Sequence, residues 1–278
     1  MSTMRPYEAL VLDIEGTICT ISFDVLFPFA SEHVEDFLRT NSSEPFTPAL
    51  FDQLREATDA EIAAGDLEVR PLTDDYGAAI PDIVHNVRYW IAKDKKIAAM
   101  KELQGMIWKE GYEQHHFQSE LFDDVVPSLK IVRVPIYTYS SGSTEAQQLF
   151  LEHCKQGDIS LMVHYKFSIP DVGPKREALS YTRLATTVGK PAEDILFVTD
   201  VYEEAKAARE AGMRTALIVR PGNAPLPPNT DIEIIYNLAA VLTPEDVDRL
   251  RTEDQGEDGD KVEAWLECSR RPPAEESA

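Results

Sequence analysis

Ala9, Leu10, Val11 and Leu12 run without a polar break into Asp13, and Ile14-Glu15-Gly16-Thr17 follows. A short run with no alternation has no face left for water. It fits a strand covered on both sides, as in a parallel sheet flanked by helices. The pattern recurs at Ile195-Leu196-Phe197-Val198-Thr199, which ends in Asp200. Open parallel sheets carry their chemistry just past the carboxyl ends of their strands, so both aspartates are expected at the mouth of a crevice. Glu15 falls on the tight turn, where Gly16 supplies backbone freedom. Acids this close repel unless a proton or a cation sits between them. A hard divalent cation such as magnesium, which takes carboxylate, carbonyl and water oxygens, answers that need. On this stretch alone, an acidic strand-to-loop junction without chemistry is an equal reading.

The rest of the chain narrows the class. Its 278 residues suit one large domain or two modest ones, and an apolar content of 43% is enough for a core. The net charge of -22 argues against nucleic acid and against acidic membrane surfaces. Part of that charge lies between Thr252 and Asp260, a stretch that reads as solvated and disordered. No apolar run is long enough to span a bilayer, and the N-terminus has no signal-peptide pattern. The widely spaced Cys19, Cys154 and Cys268 fit free thiols in a reducing compartment. Together these predict a cytoplasmic protein, extending to the nucleus. The histidines show no metal-ligand spacing, and His115 and His116 read as surface residues.

Taken in order, the first strand is expected over Tyr7–Leu12. The reading then changes to helix, from Cys19 to about Phe122. Ser31 precedes Val34, Phe37 and Leu38, Thr47-Pro48 is a hydroxyl cap with proline in the first turn, and Phe51, Leu54 and Ile62 share a face. Ile83, Val84, Val87, Trp90 and Ile91 keep helical spacing, as do Ile97, Met100, Leu103 and Ile107. From there strand and helix alternate. The expected elements are a helix at Asp123–Lys130, a strand at Val134–Tyr139, a helix at Thr144–His153 and a helix at Arg176–Val188. Strands at Ile195–Thr199, Thr215–Val219 and Ile232–Ile235 follow, then a helix opened by Thr243-Pro244-Glu245-Asp246. Beyond Thr252 little fixed structure is expected, with Trp265 free to dock.

Two further features are weak when taken singly. Ser140-Ser141-Gly142-Ser143, between a strand and a helix N-terminus, offers free N–H groups and a dipole suited to phosphate. Lys175, after Gly173-Pro174, either projects a fixed positive charge into the crevice or is a solvated residue.

The order of Asp13, Ser140, Lys175 and Asp200 along the chain resembles the haloacid dehalogenase-like superfamily of phosphatases. Within it the sequence is similar to the enolase-phosphatase (acireductone synthase) family of methionine salvage. The likeness is carried by Asp13-Ile14-Glu15-Gly16-Thr17, Val25-Leu26-Phe27-Pro28, Gln104-Gly105, Trp108-Lys109-Glu110-Gly111-Tyr112 and Asp124-Val125-Val126-Pro127. Tyr139-Ser140-Ser141-Gly142-Ser143, Gly173-Pro174-Lys175, Leu196-Phe197-Val198-Thr199-Asp200-Val201 and Val219-Arg220-Pro221-Gly222-Asn223 continue it. The chain departs from the family in a shorter Ile18–Asp24, a shorter Lys130–Pro135, and Phe167-Ser168 where Phe-Asp is usual.

The resemblance implies an α/β fold, a Rossmann-like parallel sheet core at 1–19 and 123–245. It also implies an inserted helical cap at 20–122 that closes over the substrate, leaving 246–278 as an acidic tail. It implies one magnesium ion per subunit, a monomer, and a small phosphorylated diketone, 2,3-diketo-5-methylthiopentyl phosphate, that is enolised and then dephosphorylated to the acireductone. Asp13 would be the nucleophile and Asp13, Glu15 and Asp200 the metal ligands, with Glu15 also catalytic. Ser140, Ser141 and Lys175 would bind phosphate, Lys175 also stabilising developing charge. Two other readings stand beside this one. The first is a plain phosphatase or phosphomutase of the same superfamily, and the second a non-catalytic binder acting through its acidic tail.

Overall fold

The computed structural model describes residues 4–20, 23–93, 95–252 and 256–272, and the side chains of 23–25 and 256–258 are not described. Contacts divide the chain into two compact units, one made of Met1–Ile21 with Gln118–Ala278 and the other of Ser22–Phe117.

The first unit is built on six parallel strands: β1 (Ala9–Leu12), β2 (Ile136–Tyr139), β3 (Tyr165–Phe167), β4 (Ile195–Thr199), β5 (Arg214–Ile218) and β6 (Glu233–Ile235). Their order in the sheet is β3-β2-β1-β4-β5-β6, with every pairing parallel. The chain winds outward from β1 to β3 and returns to the other side of β1 at β4, which is the topological switch that opens a crevice at the strand ends. In β1 the side chains alternate between two cores. Leu10 and Leu12 pack with Ile136, Leu196, Val198 and Ile218 on one face, and Ala9 and Val11 pack with Tyr181, Leu184, Ile195 and Phe197 on the other. That double burial is why β1 carries no polar residue. Ile195–Thr199 is a strand as expected, and Glu233–Ile235 is the edge. β3 was not expected from the sequence, being three residues long and carrying Lys166 at its centre.

The unit's helices are numbered after those of the second unit: α5 (Val125–Ile131), α6 (Thr144–Glu152), α7 (Ile169–Val172), α8 (Ala178–Val188), α9 (Tyr202–Glu210), α10 (Pro244–Thr252) and α11 (Gly256–Cys268). α9 lies against β4 and β5 through Ala205, Ala207 and Ala208, whose small side chains permit close approach. Thr243 and Asp246 cap α10 reciprocally. The stretch after Thr252 is not structureless. α11 packs on α5 and on the short 3-10 helix Leu238–Val241, burying Val262 and Leu266. The Tyr236 N–H donates to Ser269 O, and Asn237 to Trp265 O. Its acidic composition hid three apolar residues, Val262, Trp265 and Leu266, spaced for one helical face. Residues 253–255 and 273–278 lie outside the described residues.

The second unit is helical: α1 (Phe23–Thr40), α2 (Thr47–Ala63), α3 (Tyr76–Ala92) and α4 (Ala98–Glu113). Its own core gathers Val34, Leu38, Leu50, Leu54, Ile83, Val87, Trp90, Leu103 and Ile107. α1 passes straight through Ser31, so that residue starts no helix. Thr47 does not cap α2 either. Its hydroxyl donates to Asn41 O, and Ile62 is exposed at the far end of that helix. Trp90 is fully buried, Trp108 partly. His115 and His116 are exposed, and all three cysteines are free. No helix among the described residues is long and apolar enough to cross a membrane.

Candidate active site

Parallel pairing brings the strand ends together in register. Leu12 stands opposite Thr138 on β2 and Val198 on β4, so Asp13, Ser140 and Asp200 all leave the same edge of the sheet. The Asp13 N–H donates to Val198 O at 2.9 Å, extending the ladder one residue beyond β1. The Ser140 N–H donates to Phe167 O in the same way.

Lys175 arrives from the turn after α7. Its Nζ lies 2.6 Å from Asp13 Oδ1 and 2.8 Å from Glu204 Oε2, with all three side chains at most one-tenth exposed. Burial works against the ammonium charge, but the Asp13 and Glu204 carboxylates outweigh it and hold Lys175 well above its ordinary range. The backbone around it is fixed by two phenols. Tyr181 Oη–H donates to Lys175 O at 2.7 Å, and Tyr139 Oη–H to Gly173 O at 2.6 Å, with the Tyr139 ring 5.7 Å from Nζ. Gly173 sits at φ +117°, and a Cβ there would meet Ser180 Oγ at 2.6 Å, so a side chain would be strained by the backbone and would force Ser180 to shift.

Glu204, in the first turn of α9, was not expected at the site from the sequence. Burial and the charge of Asp13 push its carboxyl up to about 7, against the pull of Lys175. Thr199 Oγ stands 3.2 Å from Asp13 Oδ2 and 3.1 Å from Glu204 Oε2, and its single proton serves one of them at a time. The available signal was an acid four residues after a strand-end aspartate, which one helical turn carries back to the crevice.

Asp200 is raised to about 6 by burial and then by the charge of Asp13. Its Oδ1 is buried without a hydrogen-bond partner. Gly16, at φ +71°, approaches so closely that a Cβ would stand 2.5 Å from Asp200 Oδ2. Two carboxylates that repel each other, one with an orphaned oxygen, form a donor set suited to a hard cation. Among the described residues no three His, Cys, Asp or Glu side chains converge as metal ligands. Asp13 and Asp200 thus leave adjacent strand ends, close enough for the charge of Asp13 to act on Asp200.

The loop after β2 has the makings of an anion cradle. Ser143 caps α6 by accepting from the Ala146 N–H, and Ser140 Oγ accepts from the Gly142 N–H. Among the described residues, no hydrogen bond takes up the N–H of Ser141. Gln147, fully buried on α6, locks this loop in place. It donates to Gly142 O and Phe167 O and accepts from Thr138 Oγ–H. A lone glutamine in a helix carried no signal for that role.

A buried aspartate paired to a lysine, a serine-rich loop before a helix and a second strand-end aspartate thus meet at one end of a parallel sheet, an arrangement suited to phosphoryl transfer. The model of the haloacid dehalogenase-like hydrolases matches residues 7–212, and the chain belongs to that family. It is 42% identical over 230 residues to enolase-phosphatase E1 of Caenorhabditis elegans, covering 81% of this chain and 92% of the relative. It is 37% identical over 222 residues to enolase-phosphatase E1 of Pseudomonas aeruginosa strain LESB58, covering 78% and 92%. Among solved structures it resembles the UTR4 protein of Saccharomyces cerevisiae, with a TM-score of 0.69 and 27% identity over 83% of this chain and 98% of that one. Within the hydrolase class, these relatives place the chain among the enolase-phosphatases.

Proposed function

We propose that the protein converts 2,3-diketo-5-methylthiopentyl phosphate to the acireductone with release of phosphate, using one magnesium ion per chain. The observation that carries this reading is similarity, over 81% and 78% of this chain, to proteins named enolase-phosphatase E1 in two distant organisms, joined to the Lys175–Asp13 contact at 2.6 Å. Asp13 is the nucleophile. Its carboxylate attacks phosphorus, the bond from phosphorus to the substrate oxygen breaks, and an aspartyl phosphate forms. Lys175 holds Asp13 in place and balances negative charge as it develops on the phosphoryl oxygens. Ser140 Oγ and the Ser141 N–H bind those oxygens. Glu15 protonates the leaving oxygen and then takes a proton from the water that cleaves the aspartyl phosphate.

Magnesium would be held by Asp13, Asp200 and the backbone carbonyl of Glu15, and when bound it neutralises carboxylate and phosphate charge. The orphaned Asp200 oxygen supports this ligand set. Glutamate at position 15 is one methylene longer than aspartate and reaches further from phosphorus, toward the carbon acid of a diketone. Glu15 therefore also moves a proton during enolisation.

The chain's net charge of -22, which keeps copies apart, supports a monomer. Its free thiols suit the reducing cytoplasm and nucleus.

The test is turnover of the diketone phosphate in magnesium, followed by ultraviolet absorbance of the enol and by phosphate release. Phosphate release from simple esters with no enol from the diketone would replace this reading with a plain phosphatase. Glu15→Asp should keep simple ester hydrolysis and slow enol formation. Equal loss of both rates would remove the special role of the longer side chain.

A further inference from the structure

The turn after β5 reaches across to the loop after β1. It closes through the Asn223 N–H donating to Arg220 O at 3.2 Å, with Gly222 at φ +87°. Arg220 Nε–H donates to Thr17 O at 3.1 Å, and Asn223 Nδ2–H to Gly16 O at 2.9 Å. The carbonyls of two successive residues are thus tied to one turn. Those residues are the ones that meet Asp200. Gly16 has room for no side chain against it, and Thr17 Oγ accepts the Asp200 N–H at 3.1 Å.

The remaining edge of the guanidinium is committed elsewhere. Nη1 and Nη2 form a fork on Asp124 at 2.8 and 2.9 Å, while the Phe122 ring lies 4.3 Å from the guanidinium carbon. Asp124 also accepts the Leu238 N–H. Both members of the pair are almost fully buried. A buried ion pair is a poor device for stability alone, because the cost of desolvating both charges consumes most of the attraction. A planar fork is instead a good device for orientation. With two nitrogens fixed on a carboxylate, the third can face only one direction, and here that direction is the Thr17 carbonyl.

We propose that Arg220, oriented by Asp124, is a positioning residue for Asp200. It fixes the Gly16–Thr17 segment, and through Thr17 the backbone of Asp200, at the spacing a metal ion needs. The inference rests on the phosphatase reading above. Neither Arg220 nor Asp124 bonds directly to Asp13, Lys175 or Asp200, so neither is a catalytic residue.

The experiment uses full-length protein and two variants. Arg220→Lys keeps a positive charge beside Asp124 but loses the fork and the Nε donor. Arg220→Met/Asp124→Asn removes both charges, so that no buried charge is left unpaired, and keeps an acceptor for the Leu238 N–H. Magnesium binding is measured by calorimetry, kcat and KM with a phosphate ester, and folding by thermal melting. Both variants are expected to fold and to bind magnesium about ten- to a hundredfold more weakly, the usual effect of losing a group that orients a ligand. Turnover at fixed magnesium should fall while KM for the ester changes little. Folded variants with wild-type magnesium affinity and kcat would overturn the proposal. So would collapse of the fold in both, since the pair would then be a folding element. An active, magnesium-binding wild type beside such variants sinks the positioning role alone, whereas a wild type that neither binds magnesium nor releases phosphate takes down both readings.

Discussion

The two units bury their polar groups differently. Among the described residues, the sheet unit buries Asp13, Asp124, Glu204, Arg220 and Asp246, while the helical unit buries Thr47, Thr58, Asn86 and Gln104, none of them charged. Its closest approach to an ion network, Lys95 with Glu61 and Asp66, leaves Lys95 and Glu61 a quarter exposed. Asn86 shows what the helical unit does with polarity. It accepts from the Arg70 N–H and donates to Arg70 O, closing a stretch of backbone that lies outside any helix. Burying an ion costs several kcal/mol even after relaxation, so the sheet unit carries a burden that packing does not require. Asp246 aside, which caps α10, the difference separates polar groups that complete the backbone from charged groups gathered at or beside the candidate site.

Substitutions in the two units should therefore fail in different ways. The largest effect is expected at Asp13→Asn, which keeps shape and removes the proposed nucleophile. Phosphate release should fall by more than about a thousandfold with substrate binding retained, and near-normal turnover by the purified variant would sink the assignment. Lys175→Met belongs with it and should lose turnover through charge. Gly16→Ala comes next, because a methyl group there collides with the Asp200 carboxylate and requires a left-handed backbone. Magnesium affinity should drop while the far-ultraviolet spectrum stays unchanged, and an unaltered binding isotherm would contradict the close approach.

A subtler effect is a pH dependence of stability in chelator. Folding raises the carboxyls of Asp200 and Glu204 to about 6 and about 7. The folded state then holds protons that the unfolded chain has released, so stability falls as pH rises from the ordinary carboxylate range to about 7 and levels off above. Melting scans from pH 4 to 8 should show that fall in the metal-free wild type and a smaller one in Glu204→Gln. Identical profiles would remove Glu204 from the account. The smallest effect on turnover is expected from the helical unit. Asn86→Ala should cost about 1–3 kcal/mol of stability through the unpaired Arg70 backbone. It should leave hydrolysis of a simple phosphate ester unchanged well below the melting transition, and a matching loss of kcat would blur the division between the units.

What could be read in the sequence follows the same line. The strands that order the site announced themselves, since double burial favours unbroken apolar runs such as Ala9–Leu12 and Ile195-Leu196-Phe197-Val198, and each strand leads into an aspartate. Lys175 and Ser140 were visible as residue types in turns; the family resemblance implies that Lys175 bridges Asp13 and the phosphate, and the fold brings its Nζ within 2.6 Å of Asp13. Glu204, Gln147 and the Arg220–Asp124 pair are ordinary residues in a sequence. Their meaning lies in contacts between segments as far apart as Asp124 and Arg220, which no local pattern records. The C-terminal helix was hidden for the opposite reason, because its local composition, rich in acids, outweighed the apolar residues that dock it.

The split of the sheet unit across the chain has a consequence for how the protein is made. β1 is synthesised before the helical unit, yet both of its neighbours, Ile136–Tyr139 and Ile195–Thr199, are synthesised only after that unit. Met4 waits longer still, for Leu242. The helical unit is contiguous and can complete its own core meanwhile, which draws its ends together and lowers the entropy cost of closing so long a loop. Until the later strands emerge, the four consecutive apolar residues of β1 lack both of the strands they pair with, which leaves them exposed to wrong pairing.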